Sequence, residues 1–296
     1  LVPIATKLNA QRHICAVRDA FILTFPLTMA GSLMILLNFV LLSPDGFIAK
    51  IFKLGEIFPN LADYQAIFSP VLKGSVDILA ILIVFLVARN LARIMKADDL
   101  LTGLTAISVF FIIYPDYVAV EGANHLATKY MGAQGLFVAI IVGLLVGELM
   151  SRLSKTSKLE IKMPPQVPPA VSKAFSAIIP AAVVFTVFGI IAAIFLVGVG
   201  TPVKEFINQT IQRPLTSLGQ SPVTIIILTL VSQLLWFFGL HGGMIVMPFL
   251  TMLYASAGLE NLQAYAAGTE MPNVITKAWW PAYASLGGAG GTLGLC

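Results

Sequence analysis

Apolar positions in this chain come in long uninterrupted blocks, with none of the charged stripe that marks a helix half in water. No Asp, Glu, Lys or Arg occurs from Ala20 to Pro44, from Leu100 to Pro115, from Ala174 to Val203, or from Pro214 to Leu259. Ile78–Ala88 is wholly apolar, and Gly132–Gly147 is a shorter run free of charge. A helix needs about 20 apolar residues to cross roughly 30 Å of hydrocarbon, and several of these runs reach that length. Transmembrane β-strands would read as short alternating segments, which are not seen. The pattern therefore predicts an all-α polytopic membrane protein. Its spans fall near 20–42, 75–95, 100–118, 132–151, 175–199, 222–240 and 274–295. The apolar stretch 241–257 is a further helix or a membrane-dipping segment.

Composition makes the solvent plain. Of 296 residues, 58% are hydrophobic and only 11% charged, and the mean hydropathy is +0.91. Soluble domains carry about 25% charged residues. Lys and Arg then give the orientation. Eleven lie before span 1, at the end of span 2 and in the loop after it, and between spans 4 and 5, while six lie in the opposite loops. The positive-inside rule puts the N-terminus in the cytoplasm. The net charge of +4 is thus accounted for by membrane-flanking residues, and nucleic acid is not implied. Cys15 and Cys296 have neither metal-ligand nor C-x-x-C spacing, so no metal, cofactor or disulfide framework is implied.

Two helical groups, 1–153 and 174–296, flank one clear linker at 154–173. Its Met163-Pro-Pro-Gln-Val-Pro-Pro169 core cannot be helical, because proline removes donors and restricts the residue before it. An extended spacer follows, either a plain connector or a joint between moving halves. The segment before span 1, with Lys7, Arg12, His13 and Arg18 among apolar residues, reads as an amphipathic interfacial helix. His13 and His125 are expected at the solvated surface.

Chemistry concentrates in Gln233–Pro248. His241 is the only Asp, Glu, Lys, Arg or His between Arg213 and Glu260, and Gly239, Gly242 and Gly243 surround it. Polar groups at membrane depth usually face a bundle interior or a wet cavity, and interrupted helices line binding sites. Trp236, Phe237 and Phe238 lie just upstream. An aromatic face beside an imidazole suits a sugar ring, but a histidine bonding one helix to another and plain glycine packing fit the same residues. A second constellation, Glu270–Pro281, puts Asn273, Lys277 and Trp280 at the mouth of a span. The Gly287-Gly-Ala-Gly-Gly-Thr292 run after it lacks Walker spacing and is open to helix packing or ligand approach.

Three stretches resemble the membrane component (enzyme IIC) of the bacterial phosphoenolpyruvate-dependent sugar phosphotransferase system, lactose/cellobiose/diacetylchitobiose family. They are Leu1–Phe21 with Phe25-Pro-Leu-Thr-Met-Ala-Gly-Ser32, Met163–Pro180, and Trp236-Phe-Phe-Gly-Leu-His-Gly-Gly243 with the downstream glycine run. The resemblance spans almost the whole chain. It implies a homodimeric helical bundle with re-entrant segments, N-terminal helices at the dimer contact and C-terminal helices around the sugar. It implies a permease that binds a β-linked disaccharide (cellobiose, diacetylchitobiose or lactose type). Transport is coupled to phosphorylation by a phosphocysteine IIB subunit, itself served by IIA, in the bacterial cell membrane. His241 matches the family's sugar-binding histidine and is the candidate catalytic base, with Trp236, Asn273, Trp280 and Arg89 as further substrate-binding candidates. The phosphoryl donor residue belongs to a separate subunit, so Cys296 is not read as a nucleophile. The family pairs its histidine with a glutamate in a later Asn-x-Glu-Pro segment, which this sequence lacks; with its apolar Gly-Leu-Cys end, that makes a truncated chain the expectation. A gradient-driven secondary sugar transporter is the alternative, with Glu148 as the nearest proton carrier. A membrane enzyme that releases product without transport finds no nucleophile–base pair or nucleotide motif.

Overall fold

The computed structural model describes residues 11–284, apart from positions 45, 115–116, 121–122, 127, 129, 162, 165, 238–241 and 267. The first long apolar run forms α1, Arg12–Leu36, which continues into a π-helical turn at Leu37–Leu41. Short helices α2 (Phe47–Ile51), α3 (Leu54–Ile57) and α4 (Leu61–Lys73) follow. Then come α5 (Leu79–Ile94), α6 (Asp99–Ile112), a hairpin of β1 (Tyr117–Val120) and β2 (Ala123–Leu126), and α7 (Leu136–Leu153). After the linker come α8 (Pro169–Ser176) and α9 (Ile178–Ile194, extended to Val199). A helical stretch of α10 (Val203–Ile207), a π-turn and α11 (Arg213–Gly219) leads to α12 (Pro222–Phe237) and α13 (Gly242–Ala266).

α5 is the centre of the bundle, packed between α1, α6 and α7. Its sequence explains this, because small and branched residues (Ala80, Ile83, Val84, Val87, Ala88, Leu91) are buried around most of its circumference. The helices approach closely where glycine removes a side chain. Gly143 and Gly147 of α7 are spaced as a small-xxx-small pair; a Cβ on Gly143 would sit 2.9 Å from Val87 Cβ, and one on Gly147 would sit 3.0 Å from Leu91 Cδ2. Gly103 of α6 receives the Phe85 ring in the same way, at 2.6 Å.

Three helices among the described residues are long and apolar enough to cross a membrane: Arg12–Gly31, Leu136–Leu153 and Val171–Val199. Val203–Gly219 with Pro222–Leu234, bent by 72°, would make a fourth if it is one span. Several expected boundaries need correction. The cationic N-terminal segment, where it is described, is not a separate interfacial helix. It is the first turns of α1, because Arg12 pairs with Glu148 and Arg18 with Asp19, so the charges need no break in the helix. The second and third apolar runs form helices of 16 and 14 residues, shorter than a full span, and the tail of the third gives way to the hairpin. Residues 203–219, read as a loop, are helical. The expected span at 274–295 starts as irregular chain and one π-turn, Trp280–Ala284; residues 285–296 lie outside the described set. In the proline-rich stretch the described residues between 160 and 168 are irregular, but the next helix starts at Pro169, inside the core expected to be non-helical, where proline fits the first turn. His125 is exposed on β2, while His13 is half-buried with Nε2 3.4 Å from Glu148.

Candidate functional site

The expected site residues fall in three places. His241 lies outside the described residues, and Trp236 stands in the last turn of α12. Asn273, Trp280 and Lys277 lie on the irregular segment after α13. Arg89 is near the far end of α5.

Asn273 is the best-defined of these, 7% exposed and held from several directions. The side-chain amide of Asn261, on α13, donates to the Asn273 carbonyl at 2.6 Å, and its Oδ1 accepts the Asn273 N–H at 3.0 Å. The Asn273 side chain in turn donates to Glu260 Oε2 at 3.1 Å and to the Ala257 carbonyl at 3.4 Å. Two residues on, Gln220 repeats the arrangement. Its Nε2 donates to the Ile275 carbonyl and its Oε1 accepts the Ile275 N–H, both at 2.7 Å. Side-chain amides thus supply the backbone partners that a neighbouring strand would give, so Asn273 and Ile275, the buried residues of an otherwise mostly exposed irregular stretch, keep their peptide groups paired.

Trp280 is buried against Tyr254, ring centroids 5.8 Å apart, with Trp279 at 6.1 Å. The Tyr254 hydroxyl donates to the Gly219 carbonyl at 2.8 Å. This aromatic cluster closes the segment onto α11 and α13. Lys277 is exposed.

Asn273 opens onto a polar cavity of about 550 Å³. Its wall combines Tyr130 from ahead of α7, Gln212, Arg213 and Gln220 from the bent helical stretch, and Glu260 from α13. The cavity lies against a buried cluster that joins the two halves of the chain. Lys204, 2% exposed, sits over the Tyr114 ring at 4.4 Å and the Tyr130 ring at 5.2 Å. The Tyr130 hydroxyl donates to Glu205 Oε2 at 2.5 Å, and its N–H donates to the Tyr114 hydroxyl at 2.5 Å.

Arg89 does not join this group. The cavity end of α5 is marked by Ala80, whose N–H donates to the Met131 carbonyl. Nine residues of helical rise separate Ala80 from Arg89, about 14 Å. Arg89 donates to Asp99 Oδ2 at 3.2 Å, and Arg93 reaches the same oxygen at 2.7 Å. Nearby, Lys155 donates to the Met95 carbonyl and Lys173 lies 4.0 Å from Asp98. This is the lysine-rich end of the bundle.

Glu260, Asn261 and Gln220 were not among the expected site residues. The signal available was the acid–amide pair Glu260-Asn261 closing the longest charge-free run, but its partners lie 12 or more positions away and only folding shows them. No group of three or more His, Cys, Asp or Glu residues able to hold a metal occurs among the described residues.

The profile of the phosphotransferase system EIIC family matches residues 18–296. The chain belongs to that family. It is 34% identical to the oligo-beta-mannoside-specific EIIC component of Bacillus subtilis (strain 168) and 33% identical to the cellobiose-specific EIIC component of Geobacillus stearothermophilus. In both comparisons all of this chain is covered, and it spans 66% of the relative's length. Among solved structures it is similar to the transporter ChbC, the IIC component from the N,N'-diacetylchitobiose-specific phosphotransferase system. The TM-score is 0.86 and the identity 30%, over all of this chain and 68% of that one.

Proposed function

We propose that this EIIC chain is the sugar-handling part of a permease that carries a β-linked disaccharide across the bacterial cell membrane. Sugar bound from outside is exposed to the cytoplasm by movement of one helical group against the other, and a phosphocysteine on IIB then phosphorylates a hydroxyl. The added charge disfavours return through an apolar environment. The observation that carries this reading is the family match over residues 18–296, with relatives named for oligo-beta-mannoside and cellobiose.

His241 and Asn273 are the residues for the sugar, with Trp236 as a stacking face. Asn273 is suited to the work because its backbone is fixed by Asn261 and its amide N–H groups are held by Glu260 and Ala257, which leaves the side-chain oxygen to accept from a sugar hydroxyl without further ordering. His241 is the general base that takes the proton of the reacting hydroxyl, a role that requires hydrogen-bond reach of it. Trp280 supports the segment by packing. Arg89 belongs to the cytoplasmic ion-pair cluster, in keeping with a cytoplasmic N-terminus. The outward apolar face of α1 (Ile22, Phe25, Met29, Leu33) suits lipid or the second copy of a homodimer.

The gradient-driven alternative is disfavoured by Glu148. Arg12 lies 2.8 Å and Arg152 2.5 Å from its Oε1, with His13 beside Oε2, so the carboxylate is committed to an ion-pair cluster. Vesicle uptake by the full-length protein tests the proposal. Labelled cellobiose or diacetylchitobiose should accumulate as its phosphate only with phosphoenolpyruvate and the soluble components, and His241→Ala should abolish sugar binding. Accumulation of free sugar without those components overturns the proposal.

A further inference from the structure

Part of the wall of the cavity beside Asn273 carries polar side chains that no contact among the described residues uses up. Gln212 is 5% exposed, and its Oε1 has no hydrogen-bond partner among the described residues. Leaving a buried amide oxygen unmet costs about 1–3 kcal/mol, so such atoms usually await water or a ligand. Around it stand Arg213, Gln134, Thr216 and Ser217, whose side chains make no hydrogen bond or ion pair among the described residues. At about 550 Å³ the space falls within the ordinary range for small-molecule sites.

The lining also limits the ligand class. Amides and hydroxyls dominate, which disfavours an apolar guest. One cation, Arg213, is balanced by one anion, Glu260, which disfavours a strongly charged guest. Donors and acceptors facing one another across a wet space match a neutral polyhydroxylated molecule, whose hydroxyls can do both. The cavity lies at the end of α5 away from the Arg89 and Lys155 cluster. The Lys and Arg distribution makes that end the outer one.

We propose that this cavity is an outer saccharide subsite, which holds the incoming disaccharide before it passes on to His241, with Asn273 shared between the two. The inference rests on the proposed permease function. Because Tyr130 and Gln134 come from the N-terminal helical group and Gln212, Arg213 and Glu260 from the C-terminal one, the bound sugar bridges the two. Relative movement of the groups would then change its contacts, and only such differential contact lets a ligand bias a conformational equilibrium.

Two measurements on the full-length protein in vesicles test this, with cellobiose and diacetylchitobiose as probes. A Ser217→Cys substitution in a cysteine-free background places a thiol on the cavity wall, and a membrane-impermeant maleimide added outside should label it. A saturating disaccharide, without phosphoenolpyruvate, should slow labelling at least fivefold, and mannitol should not. Gln212→Leu, which keeps the bulk and removes the amide, should raise the KM for coupled uptake about five- to tenfold, the size of one lost hydrogen bond. Its maximal rate of sugar phosphorylation should stay at the wild-type value. If wild-type vesicles accumulate sugar phosphate but neither disaccharide changes the labelling rate and Gln212→Leu keeps the wild-type KM, the outer subsite is refuted. If wild-type vesicles accumulate no sugar phosphate at all, the permease reading itself has failed.

Discussion

The two-way hydrogen bonding between Asn261 and the Asn273 backbone makes a quantitative claim about sugar affinity. Asn261→Leu keeps the side chain's size and removes both bonds, the 2.6 Å donation and the 3.0 Å acceptance. A neutral intramolecular hydrogen bond contributes about 1 kcal/mol net, so the pair stabilises the held segment by roughly 2 kcal/mol. That corresponds to about a 30-fold change in the population of the held conformation. Apparent affinity falls only as far as the competent state ceases to dominate, so 30-fold is the ceiling. The remaining tie through Gln220 and Ile275 keeps the real loss below it. Asn261→Leu should therefore weaken cellobiose or diacetylchitobiose binding by several-fold to about 30-fold. Asn261→Asp, which retains the acceptor and loses the donor, should fall between it and wild type. Equilibrium binding of labelled sugar to the full-length protein measures this, with thermal melting alongside to show that the bundle still folds. If Asn261→Leu binds sugar within twofold of wild type, Asn273 is either not presented by Asn261 or not used for sugar.

Other expectations concern packing and pH. Gly143→Val should destabilise the protein by about 1–3 kcal/mol, since its Cβ would meet Val87 at 2.9 Å and the Val84 carbonyl oxygen at 3.0 Å. Gly189→Ala, with nothing within 4 Å of the added Cβ, should be neutral or stabilising by up to about 1 kcal/mol; thermal melts of the two variants check both. The Asp99 carboxyl is held below its ordinary value of 3.8, first by the hydrogen bond from Arg93 and also by Arg89. Its depressed pKa makes its contribution complete above the unfolded carboxylate value of about 3.9 and lost as pH falls through the folded one. The difference in melting temperature between wild type and Asp99→Asn should therefore be constant from pH 7 to about 5 and shrink below about 4. A difference that grows on acidification would refute the assignment.

Much was legible before any coordinates. Charge-free runs such as Ala174–Val203 can be stable only in lipid, so composition along the chain was enough to give the helical membrane class. The prolines at 164–168 spoke against a continuous helix, because proline removes donors and restricts the residue before it, while Pro169 fits the first turn of the helix that follows. The family could be read from local words, Trp236–Gly243 above all, because those residues are contiguous. Helix ends were less legible. Arg12 and Arg18 looked like the mark of an interfacial segment, yet they sit in the first span, since Glu148, far along the chain, supplies the partner for one of them. The 100–118 run was apolar enough for a span, but the chain leaves the helix after Ile112 to form a hairpin.

The polar cavity was illegible for the same reason. Gln212, Gln220, Glu260 and Tyr130 are ordinary residues in sequence, and no spacing distinguishes them from solvated ones. Hydropathy is a sum over neighbours along the chain, and it determined the solvent and the helical class, while contiguous motifs carried the family resemblance. Hydrogen bonding is satisfied between groups adjacent in space. Only the tertiary structure could therefore decide that Asn261 holds Asn273, that Lys204 lies over two tyrosines, and that a buried glutamine oxygen is left without a partner among the described residues.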